Sequence, residues 1–173
     1  MATLIVAALV TLCPRPDHPR LLWNASPSVP TGLYQLVLRP PIMGELAVVR
    51  LPDPVRTLAA ARGYLAVAIL LIKPVAAATA DIVCRHGAHV TINGRTVATA
   101  RTADTFGRLL PRWSGCITLG EQQVFLLSAA PGSFDGRYFG PVDRRHVLGA
   151  AQTVWVGDVN QHPSLPLRQP APP

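Results

Sequence analysis

Lysine is almost absent from this chain: of sixteen Lys and Arg residues, Lys73 is the single lysine. Charge of either sign is scarce as well, at 14% of 173 residues, while 49% are apolar, which excludes a disordered tail and a highly solvated globule. No glycine-rich phosphate loop and no paired carboxylates at catalytic spacing are present, so no nucleotide, flavin or metal signature exists and no cofactor is expected. The net charge of +7 permits attraction to nucleic acid, anionic lipid or an acidic partner. However, the arginines are scattered from Arg15 to Arg168 and never form a block longer than Arg144 and Arg145, which argues against a nucleic-acid stripe. No internal repeat is visible, and the length suits one domain with a proper core.

Long apolar runs are also short of what a bilayer needs. Residues 1–13 are apolar except for Thr3 and Thr11 and are stopped by Pro14, Arg15 and Pro16. A spanning helix takes about 20 such residues. The segment lacks the basic start and small-residue cleavage site of a secretory signal, and reads as the remnant of an N-terminal membrane anchor; a buried first strand or helix is the alternative. Residues 64–80 resemble a second span, but Lys73 and Pro74 interrupt them, so core strand and adjoining helix is the reading. Of three cysteines, Cys13 belongs to the anchor. Cys84 and Cys116 can pair in an oxidising compartment, or remain buried thiols. With His86 and His89 they also contain the atoms of a zinc site, although the spacing matches no common metal motif and no metal is expected.

The remainder reads as mostly β. Residues 1–22 are taken as anchor and linker, 23–160 as the working domain, and 161–173 as a Pro-rich tail. Strands are expected over residues 32–39 and 44–51, paired with one another across Arg39-Pro40-Pro41, then over 81–84, 124–127 and 153–156, with a short helix within 52–63. Residues 89–98 carry the clearest hairpin, because Asn93-Gly94 suits a two-residue turn that needs positive φ.

Arginine stays protonated, whereas a buried lysine can be pushed toward neutrality. A lone lysine at the end of an apolar run therefore stands where a base would be wanted; the bland alternative is a lysine that merely survived drift toward arginine. Three distant segments bear on the choice: WNASPSVPTGLY (23–34), LLIKPVAAATADIV around the lysine, and SFDGRYFGPV (133–142). Together they resemble the signal peptidase I superfamily of serine–lysine membrane proteases, and within it the conjugation-type (TraF-like) leader peptidases. The resemblance runs from about Trp23 to Trp155 and implies a signal-peptidase-like β domain behind a short N-terminal anchor.

It also implies roles. Ser28, ahead of the Val29-Pro30 step, falls on the nucleophile and Lys73 on the general base that activates it. Burial beside Leu71 and Val75, with no acidic partner nearby in sequence, favours a neutral amine. Ser26 matches an oxyanion donor; a turn or capping serine is the equal alternative. Ser133 matches the serine that aims the lysine, and Asp135 and Arg137 match a structural ion pair, which two residues on one strand face would permit. Gly136 and Gly140 allow close backbone approach, and Tyr138 and Phe139 are expected to pack. One departure stands out: the family's Pro-Gly-Asp turn after the lysine is Thr79-Ala80-Asp81 here, which leaves the shape of that loop open.

The expected function is thus a membrane-associated serine endopeptidase of the bacterial inner membrane. Its catalytic domain would lie on the periplasmic side, and its partners would be the membrane and an exported precursor, through a leader peptide or a pilin-like subunit, with no nucleic acid. Two alternatives carry different predictions. An inactive family member would serve as an assembly or binding subunit, and a soluble self-cleaving regulator would need a partner-binding segment ahead of its cleavage site, of which the first 22 residues show no sign.

Overall fold

The structure, a computed structural model, describes residues 19–64 and 70–157. The apolar start and the Pro-rich tail lie outside the described residues. Eleven strands, two α-helices and one 3-10 turn (Arg144–His146) are described: β1 Leu21–Asn24, β2 Gly32–Val37, β3 Leu46–Val49, α1 Asp53–Ala61, β4 Leu71–Ala77, β5 Ile82–His86, β6 His89–Ile92, β7 Arg95–Thr99, β8 Gly115–Thr118, β9 Gln123–Leu126, α2 Gly136–Phe139, β10 Val142–Asp143 and β11 Val147–Val156. The mostly-β expectation holds. Among the described residues no helix is long and apolar enough to cross a membrane.

The strands form two antiparallel sheets. One has seven strands in the order β1-β2-β11-β3-β4-β9-β10, and the other four in the order β7-β6-β5-β8. The expected pairing of residues 32–39 with 44–51 does not occur: β11 lies between β2 and β3 and bonds to both, with Ala150 opposite Val37 on one side and Ala47 on the other. The reason lies in the connection, because Pro40 and Pro41 carry no N–H for a tight hairpin ladder. Arg39 instead gives its carbonyl to Ala150 N (3.1 Å) and pairs its guanidinium with Glu45 (2.6 Å). The small sheet follows the sequence more closely. Ile92 faces Arg95 across Asn93 (φ 49) and Gly94 (φ 77), as the two-residue turn requires.

Strand alternation distributes the core. On β9, Val124 and Leu126 pack with Val49, Leu71 and Val75, while Phe125 belongs with Val83, Val90 and Leu119 behind the small sheet. β4 is shared between β3, through Leu71 to Pro74, and β9, through Val75 and Ala77. Pro74, which cannot donate, sits where the partner changes, and its carbonyl still accepts from Leu127 N (3.1 Å). The centre of β4, and with it Lys73, is thereby held in the middle of the seven-stranded sheet.

Candidate active site

Lys73 points from the centre of β4 and is 4% exposed. Its neighbours on the same strand face, Leu71 and Val75, are equally buried. Burial is the largest influence on its amine and lowers the pKa from the ordinary 10.5 to about 8; the Asp135 carboxylate acts in the opposite direction and the Arg137 guanidinium adds to the lowering. No acid lies near Lys73 in sequence, but the fold brings Asp135 within electrostatic reach of it, and desolvation outweighs that carboxylate. Lys73 Nζ donates to Ser133 Oγ at 2.8 Å, a buried bond between residues 60 apart in the chain.

Ser28 lies on the turn between β1 and β2. Pro27 and Pro30 deprive this segment of donors, and it joins no ladder, so its carbonyls need side-chain partners. Asn24 supplies several: Nδ2 donates to the carbonyls of Ser26 (2.8 Å), Val29 (3.1 Å) and Pro30 (3.1 Å), while Oδ1 accepts from Ser26 N (3.2 Å). Tyr34 Oη also donates to Pro30 O (2.6 Å). Ser26 Oγ lies 2.6 Å from Ser28 Oγ and accepts from Ser28 N at 3.3 Å. Both readings of Ser26 therefore have something to rest on: it shapes the turn, and its hydroxyl stands beside the backbone N–H of Ser28. Ser28 and Lys73 line one cleft of about 960 Å³ together with Ser26, Ser133, Tyr64 and Tyr138. Among the described residues no hydrogen bond joins Ser28 Oγ to Lys73 Nζ.

Asp135 and Arg137 form a buried pair, Nε to Oδ1 2.8 Å and Nη2 to Oδ2 3.0 Å. Its local geometry differs from the expected strand face. Asp135 caps the one-turn α2, accepting from Arg137 N (3.2 Å), because a carboxylate at that position satisfies a helix-start donor and leaves its second oxygen free. That oxygen accepts from Ser128 N (3.0 Å), and Arg137 Nη2 donates to Ser128 O (2.6 Å). Gly136 is required by close approach, since a Cβ there would lie 2.6 Å from Leu126 O. Tyr138 stacks on Phe134 with centroids 5.8 Å apart, and Phe139 packs edge-on to the same ring. The sequence reading missed Asn24, seen there only in the run Asn24-Ala25-Ser26, and Ser128, for which no local signal existed.

The turn in place of Pro-Gly-Asp keeps a glycine-like shape. Ala80 adopts φ 68, and Asp81 closes the turn by accepting from Ala78 N (2.9 Å). On the small sheet, Cys84 and Cys116 face one another across β5 and β8 and are joined in a disulfide. His86 completes a compact group with them, Nε2 lying 3.7 Å from Cys116 Sγ.

A sequence profile of the family described as signal peptidase, peptidase S26, matches residues 1–156. The chain belongs to the S26 signal peptidase family. Similar members include the plasmid transfer protein TraF of Escherichia coli, 36% identical over 142 residues that cover 76% of this chain and 80% of that protein. A probable conjugal transfer protein TraF of Sinorhizobium fredii is 37% identical, covering 76% of this chain and 74% of its own length. The conjugal transfer protein TraF of Agrobacterium tumefaciens is 35% identical over 76% of this chain and 80% of its own. A signal peptidase I structure from Enterococcus faecalis aligns over 66% of this chain and 98% of its own, with a TM-score of 0.38 and 17% identity. As an S26 member with TraF-like relatives, the chain has a peptidase-type function.

Proposed function

We propose that the chain is a serine endopeptidase that removes a leader from an exported, pilin-like precursor at the periplasmic side of a bacterial inner membrane, with Ser28 as nucleophile and Lys73 as general base. The observation that carries this reading is a lysine buried to 4% exposure, its amine brought down to about 8, in the same cleft as Ser28. An amine with that pKa is neutral in a useful fraction of molecules near neutral pH, and can accept a hydroxyl proton without an acidic relay. The TraF relatives support a conjugative setting.

For the chemistry the Ser28 hydroxyl must exchange Ser26 for Lys73 within the cleft that both line. The amine accepts the proton as Oγ attacks the scissile carbonyl, and the ammonium then protonates the departing amine, leaving an ester on Ser28 for water to hydrolyse. Ser28 N–H and the Ser26 hydroxyl are the donors for the oxyanion; a donor of this kind contributes about 3 kcal/mol in the chemical step. Ser133 keeps the lysine aimed, and Asp135 with Arg137 supports the wall without moving a proton.

Mass spectrometry of a candidate precursor incubated with the enzyme tests this directly. Processing is expected to rise with pH through about 8, and to vanish in Ser28→Ala, Lys73→Ala and Lys73→Arg, the last because guanidinium keeps its proton. Normal processing by any of the three rejects the mechanism. One observation favours a second reading, an inactive assembly subunit: Ser28 Oγ is engaged by Ser26, and among the described residues no hydrogen bond joins it to Lys73. Acylation of Ser28 by an active-site-directed reagent excludes that reading, and its absence supports it.

A further inference from the structure

The cleft wall contains a connection that the catalytic assignment leaves unused. Ser128, immediately beyond β9, is 2% exposed, and every polar group it has is bonded. Its N–H and C=O are held by Asp135 and Arg137, as described. Its hydroxyl oxygen accepts from Ala130 N (3.1 Å). Its one hydroxyl proton goes to the carbonyl of Ser28, 100 residues away in the chain.

We propose that Ser128 is a positioning residue for the nucleophile, and that the buried Asp135–Arg137 pair acts on Ser28 through it. The inference rests on the reading of Ser28 as nucleophile. With its carbonyl tied to Ser128, Ser28 has the peptide plane on its C-terminal side fixed, which constrains the direction of its Cα–Cβ bond and leaves its N–H free to turn from Ser26 Oγ to the oxyanion. Asn24 grips the adjoining carbonyls of Ser26, Val29 and Pro30. The turn is thus held at Ser28 from the α2 side and on either side of it from β1. The ion pair, which makes no contact with Ser28 itself, reaches it by fixing both main-chain groups of Ser128. A serine at 128 is needed because alanine has no proton to offer, and an unpartnered Ser28 carbonyl lets the plane rotate. Misplacement of a reacting atom by about 1 Å costs on the order of 100-fold in rate.

The test compares wild type with Ser128→Ala, Ser128→Cys and Ser128→Thr. The acyl-enzyme burst with p-nitrophenyl acetate counts competent sites and gives the acylation rate; precursor cleavage gives kcat and KM; thermal melting gives stability. Ser128→Ala is expected to acylate about 10- to 100-fold more slowly per titrated site, with KM changed less than about 2-fold. Ser128→Thr, which keeps the hydroxyl, is expected to recover most of that rate. Ser128→Cys has nearly the volume of serine with only a weak donor, is expected to be slow, and covers the case in which alanine does not fold. A fall in melting temperature or in the fraction of titratable sites, with the rate per site unchanged in both Ala and Cys variants, overturns the proposal and leaves Ser128 a structural residue. An inactive wild type sinks the peptidase reading instead, so the two failures are told apart.

Discussion

In the four-stranded sheet β5, β6 and β7 are joined by tight turns, β8 alone comes from farther along the chain, and nearly all polar side chains stand outward. The seven-stranded sheet instead closes over a polar centre assembled from β4, the Ser26–Ser28 turn and the segment around α2. Cys84, His86, His89, Thr91 and Cys116 occupy the outer face of the small sheet, as their cross-strand register requires. Its strands bury one charged side chain among the described residues, Arg85, which reaches beyond the sheet to Arg137 O (2.6 Å). In the larger unit Lys73, Ser128, Ser133, Asp135 and Arg137 are all buried. Burying a charge costs several kcal/mol unless it is paired and hydrogen-bonded. Asp135 and Arg137 meet that condition; Lys73 has only a neutral hydroxyl to donate to. The small sheet thus carries a covalent cross-link and little buried charge, while the large one bears the cost of a buried amine, a contrast that can be broken at either end.

The largest effect is expected at the small sheet. The Cys84–Cys116 bridge closes a loop with a sequence separation of 32. In the chain-entropy account a loop of that size contributes about 3–4 kcal/mol, acting mainly on the unfolded chain. Reduction by a dithiol, or the Cys84→Ser/Cys116→Ser double variant, should lower stability to chemical denaturation by about that amount. The edge strand β8 should then lose hydrogen-exchange protection first, because among the described strands it bonds to β5 alone and its outer edge is unpaired. Equal stability in oxidised and reduced protein would break the contrast at the small sheet.

At the polar centre the sign reverses. A fall in the pKa of Lys73 from 10.5 to about 8 corresponds to roughly 3 kcal/mol of destabilisation when the amine is charged in both folded and unfolded states. Below about pH 8 that cost is present in full. Between 8 and 10.5 the native amine is neutral while the unfolded one still binds a proton, so stability rises with pH across this window, and above it the cost is gone. Lys73→Met, of similar length and apolar, should therefore stabilise the protein at pH 7 by up to about 3 kcal/mol while abolishing processing. Its advantage should fade by pH 10.5. Denaturation curves at both pH values check the sign, and a destabilised variant at pH 7 would mean that the amine is not strained by burial.

The same contrast explains what could be read in advance. Local features were legible: the Asn93-Gly94 turn, the β strand leading into Lys73 and the helix over residues 53–61 each follow from neighbours in sequence. The partnership of Asp135 and Arg137 was legible too, although the carboxylate reaches it by capping α2 and not from a strand. Cys84 and Cys116 could be named as a pair but not chosen over free thiols. The wrong pairing of β2 with β3 came from an interaction that no local pattern carries, because β11 arrives from the far end of the chain to lie between them. Ser128 was invisible for the same reason: in the run VFLLSAAPG it resembles any loop serine, and only its partner 100 residues earlier gives it significance.

The smallest expected effect lies in the turn that joins the two units. Between β4 and β5, Ala80 adopts φ 68, the left-handed region that costs an L residue about 1–2 kcal/mol. Alanine stands where the resemblance leads one to expect the glycine of a Pro-Gly-Asp turn, and its left-handed shape is held by Leu119 O accepting from Ala80 N (2.9 Å) and by Asp81 accepting from Ala78 N. Asp81 also accepts from Asn93 Nδ2 (2.7 Å), so the turn is locked to the hairpin of the small sheet. Ala80→Gly relieves the steric cost but gives back about 0.5–1 kcal/mol through the extra freedom of the unfolded chain. The net gain should be near 0.5–1 kcal/mol, a rise in melting temperature of about 1–4 °C for a chain of this size. Acylation rate should be unchanged, since neither Ser28 nor Lys73 contacts the turn. A lowered melting temperature would mean that alanine's restriction of the unfolded chain outweighs its strain in the folded one, and that the departure from Pro-Gly-Asp favours stability.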